Sequence, residues 1–315
     1  MSGLVQNELI KIFEKKVSWI FAIILIVSLV AGALIYQKTG EKQKEDTWQE
    51  SVQLEIKELQ QQQNNAANEE EKGYIGEEIA QKQWYLDEKV NPFHTNWSFM
   101  SELVISMKSL VTLFIVIVCA GSISSEFSDG TIKQLLIRPY KRWAVLLSKY
   151  ISLLIYSAFL CTVLLLFGYI VSLFFFGNGG FDSKIAAYGM DGIVAVSGGE
   201  YFFQLFLYYL PGLLMVLTIA FMLSTLFKNQ AIAVGIGIFV LFFSSTIGSI
   251  LLFLAEKYSW TKILLFPHLD QTVFVLQDKI LENITMSMSL GILGGYYIVF
   301  MVVTFIFFQK RDISI

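Results

Sequence analysis

The chain has 315 residues, 55% of them hydrophobic and 16% charged, with a formal net charge of −3 and a mean hydropathy of +0.60. A soluble domain is about 45–50% apolar and about 25% charged, so this composition departs toward a membrane protein. Four prolines exclude a proline-rich chain, two cysteines exclude a disulfide scaffold or a cysteine-built zinc finger, and the acidic balance gives no basis for nucleic-acid binding.

Residues 4–16 are amphipathic, with Leu4, Leu9, Ile12 and Phe13 on one face and Lys11, Glu14 and Lys15 opposite. Such a helix lies in the membrane interface. Six uncharged or nearly uncharged runs then predict spanning helices: Val17–Tyr36, Leu103–Ile123, Tyr150–Phe176, Tyr201–Phe227, Ala231–Ala255 and Met288–Phe308. Each reaches the roughly 20 residues that a bilayer demands, and none alternates as a barrel strand does. The first run suits a retained helix better than the short apolar core of a cleaved signal.

Six spans put both termini on one side. With the N-terminus inside, the inner segments hold eleven Lys and Arg and the two short outer loops hold four. The excess predicts an N-in, C-in topology. Two segments on the outer side differ in character. Residues 37–98 carry 13 acidic and 7 basic residues. There Val52, Ile56 and Leu59, then Ile75, Ile79 and Leu86, recur at helical spacing and predict an antiparallel helical hairpin. Residues 177–199 are glycine-rich and read as a loop. Residues 256–285 are half apolar and read as a segment dipping back toward the interface, broken at Pro267. The expected organisation is therefore 1–36 (interfacial helix and first span), 37–98 (extracytoplasmic helical insertion) and 99–315 (spans two to six). The last part includes a cytosolic segment at 124–149.

That segment, SSEFSDGTIKQLLIRPYKRWAVLLSKY over residues 124–150, is short and basic. Ser128 or Asp129 can cap a helix that starts after Gly130. Ile132, Leu135 and Leu136 share one face of it, Lys133 and Gln134 the other, and Pro139 ends it. The spacing of Glu126, Gly130, Thr131, Ile132, Lys133, Leu135, Leu136, Pro139, Arg142, Ser148 and Lys149 resembles the signature of ABC-2-type permeases. These are six-span membrane subunits of ATP-binding-cassette exporters. The turn Leu226–Gly237, the tail Phe308–Ile313 and the entry Asn7-Glu8-Leu9 followed by Lys11 are also similar. The enlarged loop 37–98 departs from the many members in which that loop is short.

The resemblance implies an all-α polytopic permease of the bacterial plasma membrane. It would pair with a cytosolic ABC ATPase and with a second permease subunit, identical or different, in the lipid bilayer. The helix after Gly130 would be the coupling helix, with Glu126, Gly130, Thr131, Ile132, Lys133, Leu135, Leu136, Arg138, Pro139 and Arg142 at the ATPase interface. Glu126 is expected to pair with Arg138 or Arg142. The chain contains no G-x-x-x-x-G-K-[ST], so it lacks a P-loop of its own. The expectation is no cofactor on this chain, with ATP and Mg on the partner, and a substrate that is amphipathic, peptide-like or lipid-like. A sensor or scaffold whose outer hairpin binds a ligand or a protein is the alternative.

Other features are weaker. Lys108 falls inside the second predicted span, where it either snorkels to the interface or pairs with Glu102. Pro211 and Gly212 suggest a kink or a close contact in the fourth span. Gly235, Gly237, Gly291, Gly294 and Gly295 are small-residue surfaces for helix packing. Cys119 and Cys161 are expected as buried apolar residues and not as a disulfide. His94 and His268 lack the Cys or acidic neighbours of a metal site. No catalytic motif is present, which leaves the chain a non-catalytic membrane subunit.

Overall fold

The computed structural model describes residues 1–39, 48–65, 69–92, 95–131, 140–189, 192–255, 257–281 and 284–311. Among the described residues the chain is mostly helical, and six helices are long and apolar enough to cross a membrane. In hydrocarbon every backbone group needs an internal partner, which a helix supplies within one segment. This is a multi-pass membrane protein. The chain separates into two compact units, Met1–Ser28 with Ser106–Gly168 and Gln204–Ile315, and Leu29–Ile105 with Tyr169–Phe203.

Among the described residues the helices in chain order are α1 (Ser2–Glu14), α2 (Lys16–Thr39), α3 (Trp48–Asn65), α4 (Glu69–Asp87), the single turn α5 (Asn96–Phe99), α6 (Lys108–Ser128), α7 (Arg142–Phe176), α8 (Gly198–Leu226), α9 (Gln230–Ala255) and α10 (Met286–Lys310).

In the first unit, buried hydroxyls link the spanning helices where their backbones approach. Tyr150 and Thr218 meet at 2.9 Å and Thr112 and Tyr209 at 2.7 Å. Ser224 Oγ accepts from the amides of Ile123 and Ser124 at 2.8 and 3.1 Å. Such pairs satisfy polar groups that lipid cannot. Three short 3-10 turns, Ser259–Ile263, Phe266–His268 and Thr272–Val275, follow α9, and the first two pack against it. They fill the segment that the sequence predicts to dip back. Beside it, a Cβ on Gly212 would lie 2.1 Å from the carbonyl oxygen of Leu269. Glycine is therefore what lets this backbone pass against α8.

In the second unit, α3 and α4 pack on each other as an antiparallel pair. Trp48, Val52, Ile56 and Ile79 form their core, with Leu59, Ile75 and Leu86 around it. An ion pair between Lys82 and Glu55 and a hydrogen bond from Gln63 Nε2 to the Lys72 carbonyl set the register. The glycine-rich stretch expected as a loop instead forms an antiparallel hairpin, β1 (Lys184–Gly189) with β2 (Gly192–Ser197). Its β-branched Ile185, Ile193, Val194 and Val196 suit a pleated surface. The hairpin sits on α4, where Lys184 Nζ donates to the Glu88 carbonyl at 3.1 Å and Gln81 Nε2 to the Tyr188 hydroxyl at 3.2 Å.

The second spanning helix begins at Lys108, five residues after the start of the predicted run. Thr95 and Ser98 close a capping box around α5, and a π-helical turn over Met100–Val104 follows. Apolar content extends through this turn, but regular α-helix does not. The consequence is a correction. Lys108, expected inside the second spanning run, is the first residue of α6. Its Nζ takes Asp270 Oδ2 at 3.4 Å and Thr272 Oγ1 at 3.1 Å. Glu102 does not serve it, and instead accepts from the Tyr36 hydroxyl at 2.8 Å.

Candidate functional site

The site is built where α1, the C-terminal end of α6 and the first turns of α7 meet. Lys149 is one of two charged residues in the 35 of α7, and its side chain is 3% exposed. Its Nζ lies 2.7 Å from Glu8 Oε2 and 2.7 Å from Glu126 Oε1. Lys11 closes the set, 2.9 Å from Glu8 Oε1 and 3.2 Å from Glu126 Oε1. Two carboxylates and two ammonium groups thus alternate around a partly buried ring. Glu8 and Lys11 are i and i+3 on α1, so one helical face delivers both.

The charges on α1 hold each other ionised. Burial works to raise the Glu8 pKa, but the ammonium groups of Lys149 and Lys11 outweigh it and hold the carboxyl below its ordinary value. Burial likewise works to lower Lys11, and the carboxylates of Glu8 and Glu126 outweigh it, raising the amine above its ordinary value.

Several contacts hold α1 in place to present these groups. Ser152 Oγ donates to the Val5 carbonyl at 3.1 Å, and the Tyr156 hydroxyl donates to the Ser18 carbonyl at 3.3 Å. The Phe13 ring packs edge-on to Tyr156 and Phe159 at centroid distances of 5.9 and 5.2 Å. These contacts explain why α1 lies on α7 with Glu8 inward. The expectation that Lys11 belongs to the solvent face of α1 is corrected. Its head turns to the carboxylates of Glu8 and Glu126.

The ring brackets the segment between α6 and α7. On one side, α6 ends at Ser128, whose hydroxyl donates to the Lys228 carbonyl at 3.0 Å and accepts from the Gln230 amide at 3.3 Å. Gly130 follows with φ +71°, a left-handed turn that glycine makes without strain. Thr131 Oγ1 donates back to the Glu126 carbonyl at 3.4 Å. On the other side, Arg142 opens α7 and donates to the carbonyls of Gln309 and Arg311, each at 3.2 Å. The last carbonyls of α10 have no intrahelical donor, and a guanidinium supplies one. The Arg311 guanidinium lies 4.0 Å from the centre of the Phe127 ring and also donates to the Thr225 carbonyl.

Of the sequence-predicted site residues, Glu126, Gly130, Thr131 and Arg142 are therefore gathered at the two ends of this segment. Ile132, Lys133, Leu135, Leu136, Arg138 and Pro139 lie outside the described residues. The pairing expected of Glu126 with Arg142 is corrected. Glu126 takes Lys149 and Lys11, because Arg142 is spent on the α10 carbonyls. Sequence reasoning missed Glu8 and the inward role of Lys149. A signal for Lys149 was present, since an ionisable residue seven positions into a long apolar helix calls for a partner.

Comparison with known proteins places this chain in a family. A family model described as "Protein of unknown function (DUF2705)" matches residues 75–314. The chain belongs to the DUF2705 family. It is similar to the Bacillus subtilis (strain 168) "Uncharacterized protein YhcI", 31% identical over 326 residues that cover all of both chains. It is also similar to the "Uncharacterized membrane protein YdbK" of the same organism, 31% identical over 218 residues, 67% of this chain and 80% of that one. Within this DUF2705 chain the family match contains Glu126 and Lys149 but begins after Glu8 and Lys11. Only two of the four charges thus lie in the matched region.

A second buried polar cluster lies in the segment after α9. His268 is fully buried. Its Nε2 lies 2.7 Å from the Lys262 carbonyl and its Nδ1 2.9 Å from Ser289 Oγ, which also accepts from Gln271 Nε2 at 2.7 Å. A carbonyl can only accept, so the ring proton sits on Nε2 and the Ser289 hydroxyl donates to Nδ1. That is a neutral imidazole holding a fold. Cys119 and Cys161 are free and buried.

Proposed function

We propose that this DUF2705 protein is the permease subunit of an ABC-2-type transporter, inserted N-in and C-in in the bacterial plasma membrane. ATP hydrolysis on a separate cytosolic ABC ATPase would drive it, with ATP and Mg held by that partner. A second permease subunit, identical or different, would complete the pathway. The family signature over Glu126–Lys149 motivates the reading. One observation carries it further: the segment that would contact the ATPase is tied to the spans at both ends. The Glu126–Lys149 pair at 2.7 Å joins the exit of α6 to the entry of α7. Lys149 also carries α1 through Glu8. A displacement of the intervening segment is then delivered to two spanning helices and an interfacial helix together, as coupling requires.

Export of an amphipathic, peptide-like or lipid-like substrate is the transport class this family reading favours. The test is co-purification from native membranes. Wild type is solubilised beside a variant with Ile132, Leu135 and Arg138 replaced, and ATPase activity is assayed in the eluates. A P-loop ATPase that accompanies wild type and is lost from the variant supports the proposal. A wild type that brings down none overturns it, and the α3–α4 hairpin then becomes the place to seek a ligand or partner.

A further inference from the structure

A cavity of about 600 Å³ opens beside the charged ring. Along α6 its lining runs from Ile117 to Asp129, roughly 18 Å at the helical rise. It is a tall slot and not a round pocket. One end is charged, with Lys11, Lys15, Glu126 and Asp129; the other is walled by Val17, Ile117, Val118 and Leu153. The apolar wall belongs to membrane-spanning helices, and the charged end lies where those helices terminate. That gradient follows an amphiphile set in one leaflet.

Charge selects the headgroup. Four carboxylates face three lysines around the cavity (Glu8, Glu14, Glu126 and Asp129 against Lys11, Lys15 and Lys149). The excess is negative, which disfavours a purely anionic head. One acceptor also lacks its donor. Glu126 Oε1 receives both lysines, whereas Oε2 is buried and has no hydrogen-bond partner among the described residues. A buried carboxylate oxygen without a donor is costly and calls for a missing N–H or O–H group.

We propose that this slot binds a phospholipid whose headgroup carries a primary ammonium, as in phosphatidylethanolamine. The ammonium donates to Glu126 and faces Asp129, the phosphate lies toward Lys11 and Lys15, and the upper acyl carbons run along Val17, Ile117, Val118 and Leu153. A quaternary ammonium has the same charge but no N–H to donate. The site therefore separates phosphatidylethanolamine from phosphatidylcholine. It stands independently of the transporter reading, since it needs only the bilayer and this chain.

The test is native mass spectrometry of the full chain in detergent, titrated with phosphatidylethanolamine, phosphatidylcholine and phosphatidylglycerol of identical acyl chains, and with free ethanolamine. The expected result is one phosphatidylethanolamine retained about tenfold or more over phosphatidylcholine, the value of a hydrogen bond to a charged acceptor. Ser122→Leu narrows the slot without changing charge, and is expected to reduce retention while the protein stays monodisperse. Glu126→Gln is expected to abolish the preference between the two lipids. Should that variant fail to fold, Ser122→Leu and the lipid series still decide. Equal retention of all three lipids, a preference for phosphatidylglycerol, or a Ser122→Leu variant that binds as wild type overturns the proposal. Saturation by free ethanolamine without lipid overturns the identity of the ligand, and no retained molecule at all makes the slot a water-filled one.

Discussion

Lys149 and Glu126 stand 23 residues apart in the sequence and 2.7 Å apart in space. Between them lies the whole segment that joins α6 to α7. Lys149 touches both Glu8 and Glu126 at that distance, and it is almost fully buried. Removing it leaves two carboxylates facing each other with only the half-exposed Lys11 between them. Breaking a buried pair from one side costs about 3–5 kcal/mol, more than the pair itself contributes. Lys149→Met is expected to lower the thermal midpoint in detergent sharply. The triple variant Glu8→Gln, Glu126→Gln, Lys149→Met leaves only the half-exposed Lys11 charge there and is expected to recover most of the loss. A single Lys149→Met variant as stable as wild type would contradict the buried ring.

The ring also sets a pH window. The Glu8 carboxyl is held below its ordinary 4.5 by Lys149 and Lys11 against the opposing effect of burial. Its contribution is therefore complete above pH 4.5 and is lost as pH falls through the depressed folded value. The Lys11 amine is held above its ordinary 10.5 by Glu8 and Glu126, again against burial. Its contribution is complete below pH 10.5 and is lost as pH rises through the elevated folded value. The difference in thermal midpoint between wild type and Glu8→Gln is expected to be constant between these limits and to shrink on the acid side. A difference that varies through neutral pH contradicts the assignment.

How much of this was legible depends on whether an interaction leaves a local trace. The spans did, because crossing hydrocarbon needs an unbroken apolar length that any reader can count. So did the α3–α4 pair, since Val52, Ile56, Leu59, Ile75, Ile79 and Leu86 announce their faces by helical spacing. The start of α6 did not. The predicted run begins inside the π-helical turn Met100–Val104, a backbone event without a compositional mark. The β1–β2 hairpin was hidden by glycine content, which outvoted its β-branched residues. At the site, Gly130, Glu126 and Arg142 could be named from spacing. Their partners could not, because Glu8 and Lys149 are 141 residues apart and periodicity says nothing across that distance.

Gly212 offers a local test of the segment after α9. An added Cβ would lie 2.1 Å from the Leu269 carbonyl oxygen, and a backbone atom cannot swing aside as a side chain does. Gly212→Ala is expected to push this segment off α8 and to cost about 1–3 kcal/mol, the range for overpacking. Gly235 is the control. Nothing lies within 4 Å of its added Cβ, so Gly235→Ala is expected to change stability by no more than about 1 kcal/mol. Limited proteolysis within 257–281 checks the first, and thermal denaturation checks both.

His268 gives the same segment a pH dependence distinct from that of the ring. Burial lowers its pKa below the ordinary 6.5. The neutral imidazole is thus favoured in the fold, and the unfolded segment takes up a proton first. Stability is complete above pH 6.5 and declines as pH falls from there through the lower folded value. Protonation places a second N–H against Ser289, whose hydroxyl already donates to that nitrogen. Hydrogen exchange over residues 257–281 is expected to accelerate below pH 6.5 in wild type. In His268→Asn, which has no titrating ring, that acid dependence should vanish. An acid acceleration that persists in the variant assigns it to another group.

The α3–α4 pair is the element whose stability is most separable from the rest. Its core is small, with Val52 at 1% exposure and Ile56 and Ile79 at 8% each, and the Lys82–Glu55 pair adds little, since partly exposed ion pairs contribute about 0–1 kcal/mol. Ile56→Ala removes one of the few large side chains in that core. Truncating a buried isoleucine costs about 2–5 kcal/mol, enough to open a two-helix unit while the spanning helices stay folded. Hydrogen exchange is expected to rise across residues 48–65 and 69–87 and to stay unchanged in α6 and α7. Leu54 is 60% exposed, and Leu54→Ala is expected to change neither, since exposed substitutions stay within about 0.5 kcal/mol. The same variant separates the two functional readings. A permease whose coupling runs through Glu126 and Lys149 keeps its ATPase partner when the hairpin opens. A sensor that works through the hairpin loses its ligand. If Ile56→Ala abolishes co-purification of the ATPase, coupling does not run through the α6–α7 segment alone.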